Sequence, residues 1–119
     1  MIIINYRPLM LLLGGLFFVS GCSNDLPVPK VVEIEIINYG YQPQTVTINP
    51  GDTVRWINRE KRQYHSVKLD GDGGGGSVNS EYLFPGESWE HTFSQEGVYN
   101  YMCGPHSEMV GAVKVKSLI

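Results

Sequence analysis

The stretch Tyr101-Met102-Cys103-Gly104-Pro105-His106-Ser107-Glu108-Met109 carries a thiol, an imidazole and a thioether at successive spacings of three. Each is a side chain that soft or borderline transition metals take as a ligand. One loop of this length can bring Cys103, His106 and Met109 to a single point. A copper ion in a trigonal plane of two imidazoles and one thiolate still lacks an imidazole. The rest of the chain has to supply it.

Upstream of this loop the apolar residues recur at every second position, and long helical periodicity is absent. Val32, Ile34 and Ile36 alternate with Glu33 and Glu35; Val46 and Ile48 alternate with Thr45 and Thr47; Val54 and Trp56 alternate with Thr53 and Arg55. Each run reads as a strand with one buried face. Asn49-Pro50-Gly51-Asp52 and Pro85-Gly86 read as turns. A further strand is expected from His65, with Val67 and Leu69 on one face, and another through Trp89, His91 and Phe93. Val98 to Cys103 and Gly111 to Lys116 complete the set, while Gly71 to Ser77 reads as a surface loop. Seven or eight short strands in one small domain predict an all-β fold, a single antiparallel Greek-key β-sandwich. Trp56, Phe93, Tyr99 and Tyr101 are its candidate aromatic core, and Tyr99, just after Gly97, fits a tyrosine-corner contact.

Two histidines compete for the missing position. His65 follows the loop Asn58 to Tyr64 and so lies at an end of the sandwich, within reach of the C-terminal loop. His91 lies mid-strand between Trp89 and Phe93, a place for a packed, structural imidazole. His65 is therefore the expected fourth ligand. Met102, beside Cys103, points to the opposite strand face and reads as a surface apolar residue, with an alternative metal ligand as the other reading.

The chain of 119 residues has a formal charge of -3, which suits one small domain and offers no surface for nucleic acid. Leu9 to Val19 is an apolar run preceded by Arg7 and followed by Ser20 and Gly21. It is shorter than the ~20 residues of a bilayer span and has the form of an export signal. Its end, Val19-Ser20-Gly21-Cys22, resembles the bacterial lipoprotein box, which implies lipidation of Cys22 and a membrane anchor. The expected layout is a lipoprotein signal peptide over 1–21, a lipidated tether over 22–30 and a copper-binding domain over 31–119. The tether Ser23 to Lys30 has two prolines and, at ~3.3 Å per residue, holds the domain within roughly 25 Å of the lipid. From Cys22 onward eight basic residues face twelve acidic ones, a mild balance that selects no partner. With Cys22 acylated, Cys103 is a lone thiol, and metal coordination is one way to protect it.

The runs Gly51-Asp52-Thr53-Val54-Arg55-Trp56-Ile57-Asn58-Arg59-Glu60, His65-Ser66-Val67, Thr92-Phe93, and Gly97 through His106 with Met109 together resemble the plastocyanin-like blue copper proteins, the cupredoxins. The short C-x2-H-x2-M loop is similar to the amicyanin and pseudoazurin type. The resemblance covers the expected mature domain. It implies one type 1 copper ion, with His65, His106 and Cys103 in the plane and Met109 as a weak axial ligand. It also implies a Ser66 N–H donating to the Cys103 sulfur, with Pro105 removing a second donor, and a His106 edge ringed by Pro105, Met109 and Val110 as electron port. Two positions depart from the pattern. Tyr64 stands where these families often have Pro and Ser66 where they often have Asn, which leaves open how the two ligand loops are tied.

The implied function is electron transfer by Cu(I)/Cu(II) cycling between redox protein partners, such as a cytochrome, dehydrogenase or reductase. The expected setting is the periplasmic side of the cell envelope, on the outer membrane where the host has two, since Ser23 follows Cys22; the chain is expected to act as a monomer. Copper delivery or storage is the alternative. Three histidines are too few for a multicopper oxidase or nitrite reductase, and one available loop cysteine too few for a binuclear copper centre, so no enzymatic activity is expected. Arg59, Lys61 and Arg62 read as a solvated loop, with docking of an acidic partner as the alternative.

Overall fold

A computed structural model describes residues 28–70 and 77–117. The expected signal peptide, Cys22 and most of the Gly71 to Ser77 loop lie outside them. The described residues form nine strands: β1 (Val31–Ile37), β2 (Gly40–Gln42), β3 (Thr45–Ile48), β4 (Thr53–Asn58), β5 (Lys68–Leu69), β6 (Val78–Asn79), β7 (Ser88–Thr92), β8 (Gly97–Met102) and β9 (Val110–Val115). One sheet has the order β2-β1-β4-β7 and the other β3-β9-β8-β5-β6.

The β-sandwich anticipated from the alternation is present. Its pairing, however, is mixed rather than wholly antiparallel: β1 runs parallel to β4 and β3 parallel to β9. The chain leaves the first sheet after β2 and enters the second at β3. Pro43 stands at that crossing, where a residue without an N–H ends a ladder. The strand expected from His65 is also shorter than the pattern suggests. His65 makes a single bridge to Leu83, and Val67 N–H donates to Ser80 Oγ at 2.8 Å, so regular pairing begins only at Lys68.

Alternation fixes which residues fill the core. Ile34 and Ile36 of β1, Val54 and Trp56 of β4 and Phe93 beyond β7 face Val46, Ile48, Tyr99, Tyr101, Val113 and Val115 of the other sheet, all buried. Each such side chain contributes about 1.5–3 kcal/mol relative to exposure. Tyr99 Oη donates to Gln95 O at 2.8 Å, the expected corner contact four residues upstream. Asn49 to Asp52 closes with an Asp52 N–H to Asn49 O bond of 3.1 Å, and Gly51 sits at φ 96°, where a side chain would be strained.

These packed sheets leave two connections together at one end. One runs from β4 to β5 and contains His65; the other runs from β8 to β9 and contains Cys103, His106 and Met109.

Candidate metal centre

His65 is fixed by its backbone. Its N–H donates to Leu83 O at 3.1 Å and its carbonyl accepts from Leu83 N–H at 2.7 Å, so the imidazole, fully buried, is held facing the second loop. The loop that delivers it is organised by the buried Asn58. Asn58 Nδ2 donates to Gln63 O and Leu83 O, both at 2.8 Å, and Oδ1 accepts from Glu60 N–H at 2.9 Å. That side chain does the work of a turn, bridging residues at both ends of the segment.

The second loop closes on itself: Cys103 N–H donates to Met109 O at 3.1 Å and Met109 N–H to His106 O at 2.9 Å. Gly104 and Pro105 are exposed, while Cys103 and Met109 are buried. Cys103 Sγ lies 3.7 Å from His65 Nδ1 and 3.6 Å from His106 Nδ1. Among the described residues, His65, Cys103 and His106 form the only group of three such donors, with their ligand atoms all within 4.8 Å of one another. Metal–sulfur and metal–nitrogen bonds of about 2.3 and 2.0 Å, opened to a trigonal angle, span about 3.7 Å. The donor set therefore fits one ion, and a buried thiol between two imidazoles suits copper. Ser66 N–H donates to Cys103 Sγ at 3.3 Å, as the resemblance implied.

Comparison with known proteins points the same way. A family model described as copper binding proteins, plastocyanin/azurin family, matches residues 30–116. The chain belongs to that family. Plastocyanin of Synechococcus sp. (strain JA-2-3B'a(2-13)) is 34% identical over 125 residues, covering 90% of this chain and 88% of that protein. Amicyanin of Paracoccus versutus is 33% identical over 92 residues, covering 77% of this chain and 69% of the relative. Chloroplastic plastocyanin of Tetradesmus obliquus is 38% identical over 85 residues, and there the chain spans only 58% of the relative's length. Among solved structures, a Cu(I) amicyanin mutant superposes with a TM-score of 0.67 at 29% identity, covering 72% of this chain and 82% of that one. As a plastocyanin/azurin family member, the chain carries a site for one copper ion.

Several groups around this site are not singled out by the sequence pattern. Glu60 Oε1 lies 3.3 Å from His65 Nε2, on the ring edge turned away from Cys103, and also accepts the Tyr39 N–H at 2.8 Å. Burial lowers the His65 pKa, Glu60 works against that shift and His106 adds to it. Tyr41 Oη donates to Ser66 O at 2.7 Å, and burial, with the nearby Cys103, pushes its pKa up. The Tyr41 bond steadies Ser66 and hence its N–H on the sulfur. The sequence carries no forward signal for Tyr41, and for Glu60 only its place just after β4, in the segment that leads to His65.

One expectation needs adjustment, and Tyr64, Arg59 and His91 have defined surroundings. Met109 is only 2% exposed and so adds little to the exposed surface at the His106 edge, whereas the Tyr39 ring stands edge-on to His106 with centroids 5.1 Å apart. Tyr64 lies at the surface against Tyr82 and Phe84, with ring centroids 5.0 and 5.7 Å away. In the basic loop, Arg59 pairs with Glu35 at 3.3 Å, an exposed contact worth little. His91 stays outside the centre, stacked on Trp89 at 5.9 Å and edge-on to Phe93 at 4.8 Å.

Proposed function

We propose that this chain is a type 1 copper electron carrier in which His65 Nδ1, His106 Nδ1, the Cys103 thiolate and the Met109 thioether would hold the ion. The observation that carries the reading is the convergence of one buried sulfur and two ring nitrogens within 4.8 Å, on loops tied to a packed sandwich. When bound, copper supplies a one-electron Cu(I)/Cu(II) couple. The protein's part is to change little between the two states. His65 is locked to Leu83, the Cys103 loop is closed by its own backbone bonds, and the Ser66 N–H stabilises charge on the thiolate sulfur. Burial keeps water and thiol oxidants from Cys103.

The working partners on this reading are redox proteins that dock at the half-buried His106, on the loop that also carries exposed Pro105 and leads to exposed Val110. The lipoprotein-type sequence ending at Cys22 supports tethering at the periplasmic face of the envelope, with the copper domain over 31–119. Membrane fractionation beside Cys22→Ser tests the anchor: release of the variant into the soluble fraction is expected.

The test of the copper reading is a visible spectrum after Cu(II) addition, beside Cys103→Ala. An intense blue band at one copper per chain, lost in the variant and reversibly bleached by reductant, is the expected result. A colourless protein, or one that hands its copper to an apo acceptor while transferring no electrons, overturns it in favour of delivery or storage.

A further inference from the structure

Residues Asn38 and Tyr39 form the two-residue loop between β1 and β2, flanked by the pair Ile37 and Gly40. Both have positive φ, 53° and 54°, the left-handed pair that a tight hairpin of this kind requires. Asn tolerates that conformation, and the second position is ordinarily glycine. A tyrosine there is strained. The strain has a counterpart in what the ring touches.

The Tyr39 ring stands edge-on to both candidate copper imidazoles: its centroid is 5.5 Å from that of His65 at 87°, and 5.1 Å from that of His106 at 89°. The two imidazoles are themselves 5.0 Å apart and tilted by 59°. One aromatic plane perpendicular to both resists rotation of either about its own bond to the backbone. The Tyr39 backbone is held in turn. Its N–H donates to Glu60 Oε1 at 2.8 Å, the same oxygen that lies 3.3 Å from His65 Nε2. Glu60 thus fixes the base of the clamp and one of the rings it closes on. Tyr39 remains 48% exposed, so the phenol is the outer cover of the centre, above a half-buried His106 whose carbonyl accepts the Met109 N–H at 2.9 Å, where the His65 backbone both donates to and accepts from Leu83.

We propose that Tyr39 is a positioning residue of the copper site, a ring clamp that holds His106, and secondarily His65, in the metal-binding orientation before and after the ion binds. The inference rests on the copper reading given above. The left-handed turn puts the ring where an ordinary hairpin residue would turn it to solvent, and the clamp accounts for a side chain at a position that favours glycine.

Tyr39→Gly tests this cleanly, because it leaves Asn followed by Gly, the pair best suited to the turn, and keeps the N–H that Glu60 accepts. The variant is expected to melt no lower than the wild type. In the metal-free protein, NMR relaxation of the His106 ring is expected to show increased motion, which a merely structural role for Tyr39 would not produce. In the copper-loaded protein, a Cu(I) chelator is expected to withdraw the ion about tenfold faster, the scale of two lost edge contacts, and the Cu(II) EPR hyperfine splitting is expected to change. Tyr39→Phe keeps the ring and is expected to restore wild-type values throughout. Unchanged His106 ring motion and copper release in a blue Tyr39→Gly protein overturn the clamp, as does a Tyr39→Phe protein that behaves like Tyr39→Gly. A wild type that is not blue would instead sink the copper reading itself, so the two failures are separable.

Discussion

Ser66 and Gly104 join the two ligand loops: the Gly104 N–H donates to Ser66 Oγ at 2.9 Å, while the Ser66 N–H donates to the Cys103 sulfur at 3.3 Å. The short side chain of Ser66 thus makes the tie. The space there is tight, since a Cβ on Gly104 would stand 3.1 Å from that hydroxyl oxygen. The two bonds have different dependence on the side chain. Ser66→Ala removes the tie and leaves the backbone N–H on sulfur.

Ser66→Ala is therefore expected to lower stability by about 1 kcal/mol, the net worth of one part-buried hydrogen bond. For a domain of this size that is a fall of roughly 4–8 °C in Tm. A visible spectrum of the same variant should keep its blue band. Loss of the band with little change in Tm would mean that the side chain, not the backbone, sets the sulfur environment.

Asn58 carries a larger load. It is fully buried and makes three side-chain bonds, to Gln63, Leu83 and Glu60, within the segment that positions His65. Asn58→Ala leaves two carbonyls and one N–H without those partners, and is expected to cost roughly 2–4 kcal/mol. Urea unfolding of the metal-free protein measures it. The same variant should bind copper more weakly, because the Glu60 carboxylate and the His65 bridge both hang on this turn.

The contrast between Cys103 and Asn58 shows what the sequence makes legible. Cys103, His106 and Met109 are readable because metal chemistry restricts ligand types and one loop encodes their spacing. His65 is readable because only one other histidine competes and that one lies mid-strand. The two sheets follow from alternation at Val32 to Ile36, Thr45 to Ile48 and Thr53 to Trp56. The parallel pairings of β1 with β4 and β3 with β9 do not, because alternation is blind to strand direction. Tyr39, Tyr41, Asn58 and Glu60 escape because their roles depend on contacts across 20 or more positions, or on a local turn that ordinary Asn and Tyr residues do not announce.

Gly111 reports on how closely β9 passes the aromatic core. A Cβ built there would fall on the ring and hydroxyl of Tyr101 and lie 2.6 Å from Gln44 O. Tyr101 is buried, its hydroxyl donates to Gln44 O at 3.3 Å, and burial pushes its pKa up to about 12. Gly111→Ala is expected to destabilise by about 1–3 kcal/mol through overpacking. Combined with Tyr101→Phe, which removes one clashing atom, the loss should be less than the sum of the two single effects. Additive losses in urea unfolding would place the two residues out of contact.

His91 gives the metal-free protein an acid sensitivity remote from the copper end. Its ring is half-buried between Trp89 and Phe93, opposite Val54 on the neighbouring strand, and burial lowers its pKa. Above the ordinary imidazole value, about 6.5, folded and unfolded chains are both neutral at this position and it contributes no pH dependence. As the pH falls below that value the unfolded chain takes up a proton that the folded chain still refuses, so the unfolded state gains stability. The loss stops once the pH passes below the lowered folded-state pKa. Urea midpoints of the metal-free protein should therefore begin to fall as the pH drops through about 6.5. His91→Phe keeps a ring in the stack and removes the proton, and should flatten that fall in part, with the remainder belonging to His65, whose pKa is lowered in the same direction. A variant whose midpoints track the wild type at every pH would show that His91 is protonated as easily in the folded chain as in water.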